Sequence, residues 1–199
     1  MHLEDTVSSI SASNIVAPGQ VLADLLPGER VRDAGLIAGF ALTIGLSAQL
    51  AVPLPFTPVP VTGQTFAVLL GAAALGAGRA TIGASLYVVL GVLGVPWFTA
   101  TGGASFGYIV GFVVAAAIVG RLARLGNDRS WGRMAALMGV GNLVIYAFGV
   151  PVLAAVTGMG FGPALAAGVV PFLIGDAAKI ALAVALLPGT WKLVAMTRG

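Results

Sequence analysis

The sequence predicts an all-α integral membrane protein with six transmembrane helices and both termini in the cytoplasm. Three observations predict it. Of 199 residues, 58% are hydrophobic and a further 29 are glycine, while only 9% are charged, against roughly 25% in soluble domains. The mean hydropathy is +1.03, so most residues can face lipid and too few polar ones remain to cover a soluble core. The apolar runs are continuous and rich in Ala, Leu, Gly and Val rather than alternating, which selects helices over an outer-membrane barrel.

A span needs about 20 mostly apolar residues, and six segments qualify: about 34 to 52, 64 to 78, 80 to 95, 106 to 125, 133 to 151 and 171 to 188. The second and third are short. Only Gly76-Ala77-Gly78-Arg79 separates them, which reads as a tight helical hairpin; the alternative is five spans with this pair re-entrant. Residues 1 to 33 hold five of the seven acidic residues, without the basic start, apolar run and cleavage site of a signal peptide. They form a cytoplasmic arm preceding a transmembrane domain over 34 to 199. Within the arm, Val21 to Leu26 sits between two Pro-Gly pairs and is a turn of surface helix, unstructured, or in contact with the membrane surface.

Cytoplasmic loops collect Lys and Arg, and here nine of the ten basic residues alternate from loop to loop. Arg30 and Arg32 precede the first span, Arg79 follows the second, Arg121, Arg124, Arg129 and Arg133 follow the fourth, and Lys192 and Arg198 lie in the tail. The loops at 53 to 63, 96 to 105 and 152 to 170 carry none and face outside. This one-sided distribution accounts for the net charge of +3, so no nucleic-acid partner is expected. Zero cysteines exclude disulfides, thiolate metal sites and a cysteine nucleophile.

The outer loops are unusual. The first carries Pro53, Pro55, Pro58 and Pro60; it cannot be helix and is too apolar to float in water, so it is expected to fold back as a lid. The second is glycine-rich around Gly102 and Gly103. The third contains an Ala-rich stretch suited to a short helix on the outer face. Together they suggest a capped pocket.

Lys179 is the one basic residue left inside a span, and Asp176 lies three residues before it. Ionisable groups at bilayer depth are costly and face a cavity or a partner, and at i and i+3 these two share a helix face. With Pro171 opening the helix, they lie about 7 Å and about 12 Å in from its outer end. They either meet a ligand or form an ion pair that locks the helix to its neighbours. Asn142 and Tyr146, one turn apart in the fifth span, either face the ligand or bond between helices. Gln49 and Gln64 flank the proline loop and can pin it.

Small residues recur at four-residue spacing. Ala34 and Ala38, Gly35 and Gly39, and Ala41 and Gly45 do so in the first span; Gly103, Gly107, Gly111 and Ala115 do so in the fourth. Such ridges permit close helix approach. The fourth-span ridge suits packing within the chain, and the first-span ridges, more than one neighbour needs, suit a docking surface for another protein. Gly103-Ala104-Ser105-Phe106-Gly107 matches the G-x-S-x-G elbow of hydrolases, but its only candidate histidine base is His2 in the arm. An enzyme is not expected, nor any metal site or cofactor.

The stretch from Ser47 to Leu70, SAQLAVPLPFTPVPVTGQTFAVLL, resembles the first-loop signature of the BioY family, the biotin-specific substrate-binding S components of energy-coupling-factor transporters. Leu86-Tyr87, Gly94-Val95-Pro96 with Phe98, Gly107-Tyr108, Asn142 with Tyr146, Gly149 with Pro151, and Gly175-Asp176 with Lys179 extend the resemblance over about 36 to 188, leaving the first 33 residues outside it. The resemblance implies six helices in the cell membrane and capture of biotin from outside under the first loop. It implies a transmembrane coupling protein and two cytoplasmic ATPases as partners, so ATP is used only on other subunits. An A-x-x-x-A docking motif maps to Ala34 and Ala38, and ligand-binding residues map to Asp176, Lys179, Asn142 and Tyr108. Ala104 to Tyr108 departs from the G-P-T-G-G-Y string more usual there.

Biotin has a cyclic urea at one end and a carboxylate at the other, and needs a few converging polar groups in an apolar cavity. Asp176 can accept from a ureido N-H and Lys179 can donate to an oxygen. Trp97, Phe98, Phe56 and Tyr108 can pack on the ligand, and Tyr146 and Gln64 complete the candidate set. The alternatives are an S component for another vitamin and a stand-alone secondary transporter driven by an ion gradient through Asp176 and Lys179, although no internal repeat of the kind common in such transporters is evident.

Overall fold

The computed structural model describes residues 19–28, 30–97 and 103–198. A 3-10 turn at Leu22–Leu25 precedes α1 (Arg30–Ala48), a hairpin of β1 (Ala51–Leu54) and β2 (Thr57–Thr62), α2 (Gln64–Leu75), α3 (Ala77–Val92), α4 (Phe106–Leu122), α5 (Trp131–Thr157), α6 (Phe161–Gly168) and α7 (Leu173–Arg198). A π turn, Ala123–Asn127, extends α4 and ends where Gly126 takes a positive φ. Four of the helical stretches are long and apolar enough to cross a membrane; α2 and α3, at 12 and 16 residues, are shorter.

Most predicted spans find their helix, and the differences have physical causes. The fifth and sixth reach past the expected ends at Pro151 and Pro188, which sit inside α5 and α7. A proline removes one intrahelical hydrogen bond, and membrane helices absorb that loss where neighbours cover the freed carbonyl. The tail of α7 is held as well: Trp191 is buried, its Nε1 donates to Asp128 Oδ2 at 2.5 Å, and the Arg129 guanidinium stacks 4.8 Å from its ring centre.

The proline-rich loop, expected not to be helix and to fold back as a lid, is an antiparallel ribbon pairing Ala51 with Thr62, Val52 with Val61 and Leu54 with Thr57. Proline biases both itself and its predecessor toward extended backbone. In a ribbon of two strands every second N-H points to an open edge, so residues such as Pro58 and Pro60 cost no ladder bond. The Ala-rich stretch of the third loop forms α6, as its composition suggested.

Close approach shapes the bundle. The α2–α3 turn is a single residue, Gly76, at φ 79°, and it packs so tightly on α4 that a Cβ at Gly120 would strike the backbone of Gly76 and Ala77. Gly107 and Gly111 face α5 in the same way, so the fourth-span ridge packs within the chain. On α1, by contrast, Ala34, Gly35, Ala38 and Gly39 are exposed, and a Cβ at either glycine would meet nothing within 4 Å. Ala41 and Gly45 turn the other way into the core.

Candidate functional site

At the hairpin end of the bundle, α1, α2, α4, α5 and α7 surround a cavity of about 240 Å³, roofed by Ala51 of β1 and by Val59, Pro60 and Thr62 of β2. This lies just below the range of about 300 to 1,000 Å³ usual for small-molecule sites. One wall is aromatic. Tyr108, Tyr146 and Phe172 meet with ring centres 6.3 to 6.5 Å apart, Tyr108 and Tyr146 edge-on as ring quadrupoles favour and Phe172 tilted against both.

Next to it the wall is polar. Asp176 and Lys179, both on α7, line the cavity. They form a loose ion pair, with Nζ 3.6 Å from Asp176 Oδ1. The Tyr146 hydroxyl donates to Asp176 Oδ2 from α5, and Lys179 donates to Thr65 Oγ1 at 2.8 Å across on α2. Three helices thus fix one carboxylate and one ammonium side by side. Gln64, also lining the cavity, donates from Nε2 to the buried Tyr87 hydroxyl at 2.7 Å and accepts from Thr62 Oγ1 at 3.3 Å, tying the base of β2 to α3.

The remaining predicted residues lie elsewhere. Tyr108 lines the cavity with its ring, while its hydroxyl donates to the Gly168 carbonyl at 2.9 Å and clips α6 to α4. Asn142 is buried one turn from Tyr146 but is not part of the cavity wall. Phe56 occupies the hairpin tip and Trp97 follows α3; both are more than 60% exposed and neither lines the cavity. An aromatic side chain near a membrane surface has a second stable place, at the interface itself, and composition does not distinguish the two. Phe98 lies outside the described residues. Gln49 reaches the Trp97 carbonyl at 3.2 Å, bracing the segment after α3 rather than the hairpin.

Among the lining residues, Thr65, Ile109, Phe112 and Phe172 were not assigned to the ligand by sequence. Thr65 directly follows Gln64 in the proline-loop string, which was its only signal. Ser105 also lines the cavity, from the turn before α4. Among the described residues the element before it in the chain is the helix α3.

Comparison with known proteins follows the same lines. The BioY family model matches residues 17–196, which brings the segment from residue 17 inside the family region and corrects the expectation that the first 33 residues lie outside it. The chain is 33% identical to the biotin transporter BioY of Rhizobium etli, over 78% of this chain and 90% of that protein. It is 35% identical to the biotin transporter BioY of Thermotoga maritima, over 72% and 86%. It is 34% identical to the probable biotin transporter BioY of Pyrococcus horikoshii, over 78% and 93%. Its fold matches that of a solved S-component for biotin from an ECF-type ABC transporter, with a TM-score of 0.72 at 22% identity, covering 82% of this chain and 92% of that one. With its helices, its proline-rich hairpin and its α7 charge pair set in this frame, the chain is an integral membrane protein that belongs to the BioY family.

Proposed function

We propose that this protein captures biotin as the S component of an energy-coupling-factor transporter. The observation that carries the reading is the cavity under the hairpin, which is apolar and aromatic except for one carboxylate, one ammonium and the groups that hold them. Biotin asks for that ratio of surfaces: an apolar bicycle and chain with polar groups at its two ends. Asp176 accepts from a ureido N-H, Lys179 donates to an oxygen of the ligand, and the rings of Tyr108, Tyr146 and Phe172 pack on the bicycle. The names of the relatives and the match of fold support the same substrate.

The proposed topology has six spans, with α2 and α3 the short pair, both termini in the cytoplasm and the hairpin outside the cell membrane. The alternation of basic loops supports it. The bundle over 34 to 199 does the binding, with residues 1 to 33 as a cytoplasmic arm whose segment 19–28 is clasped to the bundle through Asp24. Ala34 and Ala38, exposed on α1, form part of the surface for a transmembrane coupling protein, which links the chain to two ATPases. The chain itself carries no cofactor.

The test is titration of purified, biotin-depleted protein with biotin and, in parallel, with other vitamins. Saturable binding of biotin with a rise in thermal stability is the expected result. Stabilisation by another vitamin alone would reassign the substrate. Uptake that persists without any ATPase and follows the proton gradient would point instead to a secondary transporter.

A further inference from the structure

Asp176 and Lys179 are three residues apart on one helix face, and nothing in that spacing stops them from closing into a charge-assisted hydrogen bond of about 2.7 to 2.9 Å. They do not close. The ammonium sits 3.6 Å from Asp176 Oδ1 but 2.8 Å from the hydroxyl oxygen of Thr65, a neutral acceptor on another helix. Asp176 is drawn the other way, its second oxygen bonded by Tyr146. In a cavity with mostly apolar walls, opposite charges attract more strongly than in water, so holding them apart needs a competing partner for each.

We infer that Thr65 is a positioning residue for Lys179: its hydroxyl holds the ammonium at 3.6 Å in a loose ion pair with Asp176, so that both groups stay open to the ligand. Thr65 is placed for this by the hairpin. β2 ends at Thr62, Gln64 begins α2 and bonds back to Thr62, and Thr65 follows in the first turn of α2, lining the cavity. Because Lys179 donates to Thr65 Oγ1, the threonine's own proton is left to donate elsewhere. Removing the hydroxyl lets this ion pair tighten, and the ligand must then loosen it before it can use either group. Site groups held by supporting hydrogen bonds in this way avoid that reorganisation.

This inference rests on the proposed biotin site, and the test separates the two. Thr65→Val keeps the side-chain shape without the hydroxyl, and Thr65→Ser keeps the hydroxyl. Biotin affinity is expected to fall roughly 10- to 100-fold in Thr65→Val, the size of a lost hydrogen bond to a charged group, and to be restored in Thr65→Ser, with the melting temperature of the ligand-free proteins unchanged. In a Lys179→Met background, Thr65→Val should have no further effect, because the group it positions is gone. A loss of equal size in that background would mean that Thr65 acts on the ligand or the fold directly, and would overturn the inference. So would wild-type affinity in Thr65→Val. A ligand-free structure of Thr65→Val supplies a readout independent of biotin: Nζ to Oδ1 should shorten to about 2.8 Å, and an unchanged separation also overturns the inference. Failure of the wild-type protein to bind biotin would remove the biotin reading and leave this structural arm to decide the role of Thr65.

Discussion

Arg79 Nη1, at the start of α3, lies 2.6 Å from Asp24 Oδ1, so a residue that precedes the first helix is bonded to the turn between the second and third. Arg79 Nε also meets Asp33 at 2.9 Å. Asp24 further accepts from the Val21 N-H at 3.1 Å and lies 3.5 Å from Arg124. Val21 is fully buried beside it. Residues 19–28 therefore form a clasp over the end of the bundle opposite the hairpin.

Burial pushes the Asp24 carboxyl up, but the Arg79 bond, the Val21 N-H and the charge of Arg124 outweigh it and hold the group below its ordinary value of 3.8. A depressed folded value means that ionised Asp24 stabilises the fold. The contribution is whole above the ordinary value and fades as pH falls through the folded one. Asp24→Asn is expected to cost about 1 to 2 kcal/mol near neutral pH, less than a fully buried pair because the side chains are partly exposed. The deficit relative to wild type should shrink as pH drops below about 4. Thermal unfolding across pH checks this, and a deficit that does not vary with pH would mean that the clasp does not depend on charge.

The α7 pair bears on ligand binding. Asp176→Asn or Lys179→Met leaves the other charge without its partner and removes a proposed ligand contact, at a cost of about 2 to 5 kcal/mol, or roughly 30- to 4,000-fold in affinity. Isothermal titration of the detergent-solubilised variants measures it. Near wild-type biotin affinity in both would make the pair a structural one.

Much of this architecture was legible in the sequence because lipid imposes strong rules. Apolar length gave the helices, and the cost of charge at depth picked out Asp176 and Lys179 from the whole chain. What the sequence hid was tertiary. Nothing marks Tyr146 as the partner of Asp176, thirty residues on, and a threonine at the start of α2 has an ordinary local use as a helix-start residue, which masked Thr65. The ends of α5 and α7 were misjudged because proline stops helices in water more surely than within a membrane bundle. Phe56 and Trp97 were placed at the ligand on residue type alone, and the geometry leaves both outside the cavity wall.

The exposed small residues of α1 predict a separation of function. Gly35 and Gly39 line a groove of about 670 Å³ between α1, α2 and α7, with Ala34 and Ala38 beside them. Ala34→Trp or Ala38→Trp should block docking of the coupling protein, since close helix contact needs small side chains. Biotin binding by the isolated chain should persist, because the cavity lies at the other end of the bundle. Co-purification and titration read the two effects separately; ligand binding lost with the complex intact would refute the assignment.

The hairpin is expected to act as a gate. Its four prolines stiffen it, so closing over a ligand orders little that was free, and Val59 already turns inward to a buried position on its underside. Thr57 is buried too and would be a poor reporter, whereas Ala51 lines the cavity yet is accessible. In this cysteine-free chain, Ala51→Cys should react with a membrane-impermeant maleimide from outside, quickly without biotin. At biotin one hundred times its Kd the ligand-free population falls about 100-fold, and labelling should slow accordingly. Phe56→Cys at the exposed tip should label from outside with or without ligand, and so reports topology alone. Labelling of Phe56→Cys only from the cytoplasmic side would invert the proposed topology. A rate at Ala51→Cys indifferent to saturating biotin, with outside labelling intact, would show that the ribbon is a fixed roof and that the ligand enters by another path.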